Sequence, residues 1–295
     1  MGVVRPPKIS VKLPLLVVGA DGLIGRTLAG HCRKRGETVI ETCLDQTGSS
    51  GAAIQLDLAH DSWPVLPRCR AAVICAAITS QEQCRQDPEA ARHINVARTL
   101  DLIRALAEAG TFVVFLSTNL VFDGSRPNRC WDDPLSPQME YGRQKAEVER
   151  ALGPWPDQMA IVRMTKVFHS ELPLLQEWVR DLNEVHPVKA FSNYVCAPVS
   201  LGQVVDGIAR VAAERRPGVW QFSGPQDVSY AQLACEVACI LGANVKLIQP
   251  VPTPSGVLEH HPSHTTLDAS RAAQELNLVF HKADTVLREC LRRPS

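Results

Sequence analysis

The sequence predicts an α/β fold built on a doubly wound parallel sheet. Short runs of mainly apolar residues, such as 13–18, 71–77 and 111–118, are typical of parallel strands that are buried on both faces. Longer stretches with helical spacing separate these runs, and this alternation indicates strands connected by helices. A glycine-rich turn directly follows the first run, where folds of this class bind the phosphate groups of a ligand.

Composition and charge indicate a globular protein with a sizeable core. The chain has 295 residues, of which 45% are hydrophobic and 21% are charged. Lys and Arg together number 31 and so do Asp and Glu, which argues against a nucleic-acid or membrane partner. The ten cysteines contain no CxxC pair, and several lie in apolar runs, as expected of reduced thiols in a cytoplasmic protein. The apolar run that begins at Leu13 is too short to span a membrane.

The first strand and the turn after it form a predicted dinucleotide site. The glycines have GxxGxxG spacing and precede an amphipathic helix that extends to about residue 35. Backbone without side chains lets a pyrophosphate approach the N–H groups of the helix N-terminus. Asp21 is compatible with a bound pyrophosphate if its carboxylate points to solvent. The alternative to a dinucleotide site is a glycine turn that serves only tight packing. The residues predicted to bind cofactor here are Gly19, Asp21, Gly22, Leu23, Ile24 and Gly25.

The choice between NAD and NADP depends on the end of the second strand, predicted over residues 36–42. The selecting residue usually lies about 20 residues after the glycines, and here Leu44 and Asp45 occupy that place without an arginine. A carboxylate accepts hydrogen bonds from ribose hydroxyls and repels a 2′-phosphate. We therefore expect NAD(H) or NADP(H) as cofactor, with a weak preference for NAD, although Asp45 fits an ordinary turn equally well.

The remaining elements divide the chain into unequal parts. The first half continues with strands predicted over 53–58, 71–77, 111–118 and 159–164, and with helices over about 88–109 and 145–152. In the second half, strands and helices alternate less regularly. Helices are predicted over 174–185, 201–214 and 230–241, and strands over 188–191, 196–199 and 218–223. We expect a flexible tail of residues 1–12, a dinucleotide-binding domain of residues 13–165 and a smaller α+β substrate-binding domain of residues 166–295.

Residues 141–145 read Tyr-Gly-Arg-Gln-Lys and predict an acid–base pair. On a helix, positions i and i+4 share one face, so Tyr141 and Lys145 project side by side. A phenol has a reference pKa of about 10, and a nearby ammonium favours the phenolate and lowers that pKa. A solvated helix face is the alternative that the spacing alone leaves open.

Two further groups of polar residues lie at places where a site could form. Ser117 and Thr118 end the fifth strand, and open α/β sheets bind ligands along that edge. His260, His261 and His264 lie among prolines without the helical HExxH spacing, so no metal site is predicted.

In this order, the glycine turn, Ser117-Thr118 and Tyr141/Lys145 resemble the extended short-chain dehydrogenase/reductases, and most closely their dTDP-4-dehydrorhamnose reductase group. Residues 117–124, Ser-Thr-Asn-Leu-Val-Phe-Asp-Gly, are similar to that group's S-T-D-Y-V-F-D-G, and residues 141–145 to its Y-G-K-T-K. Residues 191–198 and 218–224 resemble landmarks of its substrate-binding domain. The resemblance implies a Rossmann-like sheet with a smaller C-terminal α+β substrate-binding segment.

The resemblance also implies a role for each matched residue near the reacting carbonyl. Tyr141 would protonate the carbonyl oxygen as hydride arrives from the nicotinamide. Lys145 would bond the nicotinamide ribose and hold the pKa of Tyr141 down. Thr118 would hydrogen-bond the reacting oxygen, with Ser117 as a nearby helper.

Other matched positions concern the two ends of the ligand site. Asp57 and Leu58 would hold the adenine, and Ala76 and Ala77 would pack beside the cofactor. The chain departs from the family at Asn119, which replaces an Asp, and at Ile74, where an Asn is common. His261 stands where the family has an arginine that is expected to clamp the substrate's diphosphate, and a mostly neutral histidine is a weaker anion ligand.

These observations predict a cytoplasmic NAD(P)-dependent oxidoreductase of carbohydrate biosynthesis that reduces a keto group of a nucleotide-activated sugar. Its partner is a nucleotide-sugar substrate, and the chain is compatible with a homodimer. One alternative is an NAD-dependent sugar-nucleotide epimerase or dehydratase. Another is a non-catalytic regulatory or binding subunit, because close relatives of the fold serve as the regulatory subunit of methionine adenosyltransferase. The intact Thr/Tyr/Lys set favours an enzyme.

Overall fold

The computed structural model describes residues 13–44, 53–60, 62–153, 157–254 and 260–292. The predicted tail of residues 1–12 and Asp45 lie outside the described residues. Within these ranges no helix is both long enough and apolar enough to cross a bilayer.

Seven parallel strands form the main sheet, which confirms the predicted doubly wound α/β class. In pairing order they are β3 (Ile54–Gln55), β2 (Val39–Cys43), β1 (Leu15–Val18), β4 (Ala71–Ile74), β5 (Phe112–Thr118), β6 (Met159–Met164) and β11 (Gly218–Phe222). From β1 the chain adds strands outward on one side and then crosses over to β4 on the other. The strand order therefore reverses between β1 and β4, and open α/β sheets bind ligands outside the carboxyl ends of strands at such a point.

The central strands are apolar because helices cover both faces of the sheet. Every residue of β1, β4 and β5 is buried. Leu15 and Val17 pack on one side, against α1 (Leu23–Lys34) and α7 (Leu201–Glu214). Leu16 and Val18 pack on the other side, in the core that includes α4 (Thr99–Glu108) and α5 (Glu140–Ala151). The alternation of side chains along a strand thus divides the core into two layers.

The helix predicted over about 88–109 is interrupted. It consists of α3 (Pro88–Arg92), a π-helical turn (His93–Arg98) and α4, and it follows the short helix α2 (Gln81–Gln86). The π-turn places the buried Asn95 beside the loop after β4, where its amide accepts from Ile78 N and donates to Ile78 O at 2.8 and 2.9 Å. The same amide donates to Gln144 of α5 at 2.8 Å. The turn therefore ties the loop after β4 to the helix that carries Tyr141.

The second half of the chain forms a second core and also returns to the main sheet. The second core includes α6 (Pro173–Asn183), β8 (Val188–Phe191), α8 (Tyr230–Leu241), β13 (Ile248–Val251) and α10 (Ala283–Leu291). Short strands complete this half: β7 (Val167–Phe168), β9 (Val195–Cys196), β10 (Val199–Ser200) and β12 (Val228–Ser229), and α9 (Ser270–Glu275) lies between β13 and α10. The predicted division at residue 165 needs one correction, because α7 and β11 belong to the layers of the main sheet.

Candidate active site

Two adjoining cavities follow the carboxyl edge of the main sheet. The glycine pocket, of about 340 Å³, lies beside the turn after β1 and includes Gly19, Gly22 and Asp57. The central cleft, of about 410 Å³, includes Thr118, Tyr141 and Lys145. Cys75 and Ala77 line both cavities, so the two are parts of one groove. The predicted cofactor residues that line one or both of them are Gly19, Asp21, Gly22, Leu23, Ile24, Asp57, Leu58, Ala76, Ala77, Tyr141 and Lys145.

The turn after β1 requires glycine at its first and third motif positions. Gly19 has a φ of +82°, and a Cβ there would lie 2.7 Å from the backbone nitrogen of Ala76. A Cβ on Gly25 would lie 2.2 Å from the carbonyl oxygen of Gly19, so Gly25 serves close packing and is not part of either lining. Gly22 caps α1 without a side-chain hydrogen bond, which leaves the first N–H groups of the helix for a ligand phosphate.

The glycine pocket contains two carboxylates. Asp21 is exposed, as expected, and it also accepts a hydrogen bond from the backbone N–H of Leu44 at 3.3 Å. Its carboxylate therefore links the glycine turn to the end of β2. Asp57 accepts from the backbone N–H of Ala59 at 2.8 Å. Both carboxylates place negative charge in this pocket.

The pair Tyr141/Lys145 lies in the central cleft because α5 begins at Glu140, five residues before the predicted start. Lys145 is 4% exposed, and its Nζ donates to the carbonyl oxygen of Leu116 at 3.0 Å. The same Nζ lies 5.7 Å from the centroid of the Tyr141 ring. Burial lowers the pKa of Lys145 to about 8, although nearby groups, including Cys75 and Glu149, raise it.

The expectation that Lys145 lowers the pKa of Tyr141 is wrong for the protein without cofactor. Burial of the phenol raises the pKa of Tyr141 far above its usual value, and the ammonium does not reverse this effect. The physical reason is desolvation, which disfavours the phenolate. At neutral pH Tyr141 therefore holds its proton.

Ser117 and Thr118 have different surroundings, although they are adjacent at the end of β5. The Thr118 hydroxyl accepts from Leu120 N at 3.2 Å and donates to the Asn119 side-chain oxygen at 3.4 Å. The Ser117 hydroxyl donates to Glu149 at 2.5 Å. Both residues line the central cleft, but the Ser117 hydroxyl is already engaged by a buried carboxylate. The helper role of Ser117 stays a prediction, and in this structure its hydroxyl holds the Glu149 carboxylate.

Sequence reasoning missed a buried polar network next to the cleft. Arg163 of β6 donates through Nη2 to Glu149 at 2.7 Å, and through Nη1 to the carbonyl oxygen of Trp131 at 2.9 Å and to the Gln221 side chain at 3.3 Å. The sequence does contain one signal of it. Glu149 stands four residues after Lys145, on the same face of α5.

The three histidines near residue 260 occupy separate environments. His260 hydrogen-bonds the carbonyl oxygen of Asp123 at 2.8 Å, and His264 contacts the carboxylate of Asp227 at 3.2 Å. His261 is exposed, and its ring lies edge-on to Tyr194, with 6.0 Å between centroids. Tyr194 lines the central cleft, so His261 lies near its rim.

The sheet, the glycine turn and the Thr118/Tyr141/Lys145 set have the architecture of the extended short-chain dehydrogenase/reductases. The model of the RmlD substrate binding domain matches residues 13–294, and the chain belongs to this family. This confirms the resemblance noted in the sequence.

Two relatives illustrate the range of the family. The chain is 29% identical over 271 residues to dTDP-4-dehydrorhamnose reductase of Streptomyces griseus, covering 87% of this chain and 86% of the relative. It is 24% identical over 282 residues to methionine adenosyltransferase 2 subunit beta of Rattus norvegicus, covering 87% of this chain and 80% of the relative.

Solved structures share the fold over nearly the whole chain. A dTDP-4-dehydrorhamnose reductase of Bacillus anthracis in complex with NADP has a TM-score of 0.80 at 17% identity, covering 95% of this chain and 98% of that one. MoeE5 in complex with UDP-glucose and NAD has a TM-score of 0.77 at 20% identity, covering 94% of this chain and 97% of that one.

Proposed function

We propose that this chain is an NAD(P)-dependent oxidoreductase that reduces a keto group of a nucleotide-activated sugar. One observation carries the proposal: Thr118, Tyr141 and Lys145 line a single cleft that adjoins the glycine pocket. A ketone reduction needs a proton donor, a hydrogen-bond partner for the reacting oxygen and a cofactor beside them. Along one edge of the sheet, the groove has room for the proton donor, the hydrogen-bond partner and the cofactor.

The glycine pocket fits a dinucleotide. The close approach of Gly19 to Ala76 and the uncapped start of α1 leave bare backbone where a pyrophosphate would bind. The bound nicotinamide would supply the hydride. The Bacillus anthracis neighbour carries NADP and MoeE5 carries NAD, which supports a nicotinamide cofactor of either kind. Asp21 and Asp57 favour NAD, since a 2′-phosphate would meet their charge.

Each residue of the set has a distinct task in the proposal. Tyr141 gives its phenolic proton to the carbonyl oxygen, and burial keeps that proton in place until a substrate arrives. Thr118 hydrogen-bonds the same oxygen and stabilises the charge that develops on it. Lys145, which Leu116 O holds at 3.0 Å, bonds the nicotinamide ribose and places positive charge beside the phenol.

Sugar nucleotides are the proposed substrates because a neighbour of the same fold binds one and a relative is named for one. MoeE5 binds UDP-glucose together with NAD, and the Streptomyces griseus relative is named for a dTDP-activated sugar. The cleft of about 410 Å³ is large enough for a hexose and open to the second half of the chain.

Two other functions use the same architecture. An epimerase or dehydratase would use the same residues with a tightly held NAD and no net consumption of cofactor. A non-catalytic subunit is favoured by one observation, the 24% identity to methionine adenosyltransferase 2 subunit beta. The retained Thr118, Tyr141 and Lys145 favour the enzyme.

The test is turnover of the purified chain with NADH or NADPH and a dTDP-4-keto-sugar, followed by loss of cofactor absorbance. Thr118→Val should reduce kcat more than it raises KM, because its bond strengthens in the transition state. Thr285→Val on α10 is the matched control and should act like wild type. Sugar conversion without cofactor loss would indicate the epimerase or dehydratase, and an inactive wild type would favour the subunit.

A further inference from the structure

The central cleft contains basic side chains without a matching carboxylate. Its lining includes Lys145, Lys166 and His169, and none of the described lining residues is Asp or Glu. Lys145 already donates to Leu116 O and has a task in the proposed reaction. Lys166 and His169 are therefore basic residues of the cleft that the reaction, as proposed above, does not use.

The backbone beside these residues is fixed on both sides. Thr165 N donates to Phe222 O at 3.1 Å, and the Thr165 hydroxyl donates to Ala197 O at 2.5 Å. The carbonyl oxygen of Lys166 accepts from Val199 N at 3.0 Å. The two basic residues thus project from an anchored segment, as a preorganised binding site requires.

Both side chains retain unused hydrogen-bonding capacity. Nδ1 of His169 is buried and has no hydrogen-bond partner in the part of the chain that the structure describes. Lys166 is exposed, and no carboxylate of the described residues forms an ion pair with its ammonium. Buried polar atoms nearly always have a partner, so an unpartnered one beside a cleft indicates a place for a ligand atom or a water.

The imidazole of His169 is close enough to Lys166 to sense its charge. Burial lowers the pKa of His169, Glu171 raises it, and Arg26 and Lys166 lower it further. Glu171 and Arg26 pair with each other at 2.9 Å, so their effects oppose each other. An anion next to Lys166 would raise the pKa of His169, because an opposite charge favours the imidazolium.

We propose that Lys166 and His169 form an anion subsite in the central cleft, which binds a phosphate or carboxylate group of the substrate. The assignment of that anion to the substrate rests on the proposed function, whereas anion binding itself does not. In the register of β5 and β6, Met164 lies opposite Thr118. Lys166 comes two residues after Met164 in the chain. An anionic group of the substrate bound at Lys166 would therefore lie close to the reacting sugar.

The subsite would compensate for the weak anion ligand at the rim. The exposed His261 stands where the resemblance implies an arginine, and an imidazole lacks the forked donors with which a guanidinium binds a diphosphate. Lys166 and His169 supply positive charge and a nitrogen ligand from a different segment of the same cleft.

The test uses the full chain, the NMR titration of the His169 imidazole, and two probes, inorganic pyrophosphate and glucuronate. His169→Gln assigns the signal. At least one probe should raise the pKa of His169, and the probe that does so tells phosphate from carboxylate. Lys166→Gln should weaken its binding by about tenfold or more, as expected for loss of a charged hydrogen bond. Lys189→Gln, an exposed lysine on β8, is the matched control and should bind like wild type.

Failure of the subsite and failure of the proposed function are distinguishable. If neither probe shifts His169, or if Lys166→Gln binds like wild type, the subsite is wrong whatever the turnover. A chain that binds a probe through Lys166 but never oxidises NADH with a keto-sugar would keep the subsite and contradict the proposed function. Turnover with a KM that Lys166→Gln leaves unchanged would keep the function and contradict the subsite's role for substrate.

Discussion

Glu149 and Arg163 form a buried ion pair next to the central cleft, with 2.7 Å between Oε2 and Nη2 and with side chains that are 2% and 4% exposed. Ser117 completes the pair by donating to the same carboxylate. Glu149 lies on the face of α5 that carries Tyr141 and Lys145, whereas Arg163 lies on β6. The pair therefore fixes α5 against the sheet edge and sets the position of the two candidate catalytic side chains.

Glu149→Gln should lower the free energy of unfolding by about 3 to 5 kcal/mol, the usual result of breaking a buried ion pair. The substitution keeps the shape and leaves the Arg163 guanidinium buried without a countercharge. Urea denaturation measures the effect. Glu171→Gln is the matched control, because Glu171 pairs with Arg26 at the surface and its loss should change the stability by less than about 1 kcal/mol. Equal losses in the two variants would contradict a special role for the buried pair.

Cofactor affinity should fall as the pH rises above about 8. The pKa of Lys145 in the protein without ligand is about 8, so its ammonium is lost as the pH rises through that value. Binding of the nicotinamide ribose favours the ammonium, so the dissociation constant of NADH should rise roughly tenfold for each pH unit well above this pKa. Calorimetric titration of wild type and Lys145→Met checks this, and the variant should show weak, pH-independent binding over that range. A wild-type profile that is flat across the pKa would remove Lys145 from the ribose site.

NADH should bind several-fold more tightly than NADPH. Asp21 and Asp57 line the pocket that would hold the adenosine, and carboxylates that are exposed or half-buried repel a 2′-phosphate only modestly through water. Asp21→Asn should reduce the difference between the NADH and NADPH affinities, because it should improve the NADPH affinity alone. The distant, exposed Asp132→Asn is the matched control. Tighter NADPH binding by wild type would overturn the preference.

Much of the fold follows from local patterns in the sequence. The central strands can be predicted from the sequence because parallel strands covered on both faces are continuously apolar, as in residues 15–18. The spacing of Tyr141 and Lys145 is readable because both lie on one short helical segment. The glycine turn is readable because Gly19 needs a positive φ, which few other residues adopt.

The rest depends on contacts between distant segments, which local patterns do not specify. Ser117 was expected to help at the carbonyl, but its hydroxyl bonds Glu149, 32 residues away. β11 pairs with β6 although elements of the second core lie between them in the chain. The less regular alternation of strands and helices beyond residue 165 gave no sign that the chain returns to the main sheet. The π-turn at His93–Arg98 continues the apolar periodicity of its neighbours and reads as ordinary helix.

His261→Arg should strengthen the binding of UDP-glucose by about tenfold, because a guanidinium donates charged hydrogen bonds to a diphosphate that an imidazole cannot match. His261 touches Tyr194 at the rim of the cleft, so a longer side chain there can reach a ligand in it. Calorimetry with UDP-glucose in the presence of NAD measures the gain. His186→Arg, at an exposed position outside the described cleft lining, should give no gain. Unchanged affinity in His261→Arg would show that this position does not touch phosphate.

Tyr141→Phe should reduce turnover by roughly 10² to 10⁴, the usual contribution of a positioned acid. The substitution keeps the ring that packs near the Lys145 ammonium and removes only the hydroxyl, so the urea midpoint and the NADH affinity should barely change. An ordinary phenol already carries its proton at neutral pH, and burial, which raises the pKa of Tyr141, keeps it protonated, as a donor to a keto oxygen must be. Steady-state kinetics with a dTDP-4-keto-sugar measures the loss. Tyr194→Phe removes another hydroxyl from the same cleft and is the matched control, with an expected loss much smaller than that of Tyr141→Phe. If Tyr141→Phe turned over at the wild-type rate, the proton would come from elsewhere, and the reduction proposed here would lose its acid.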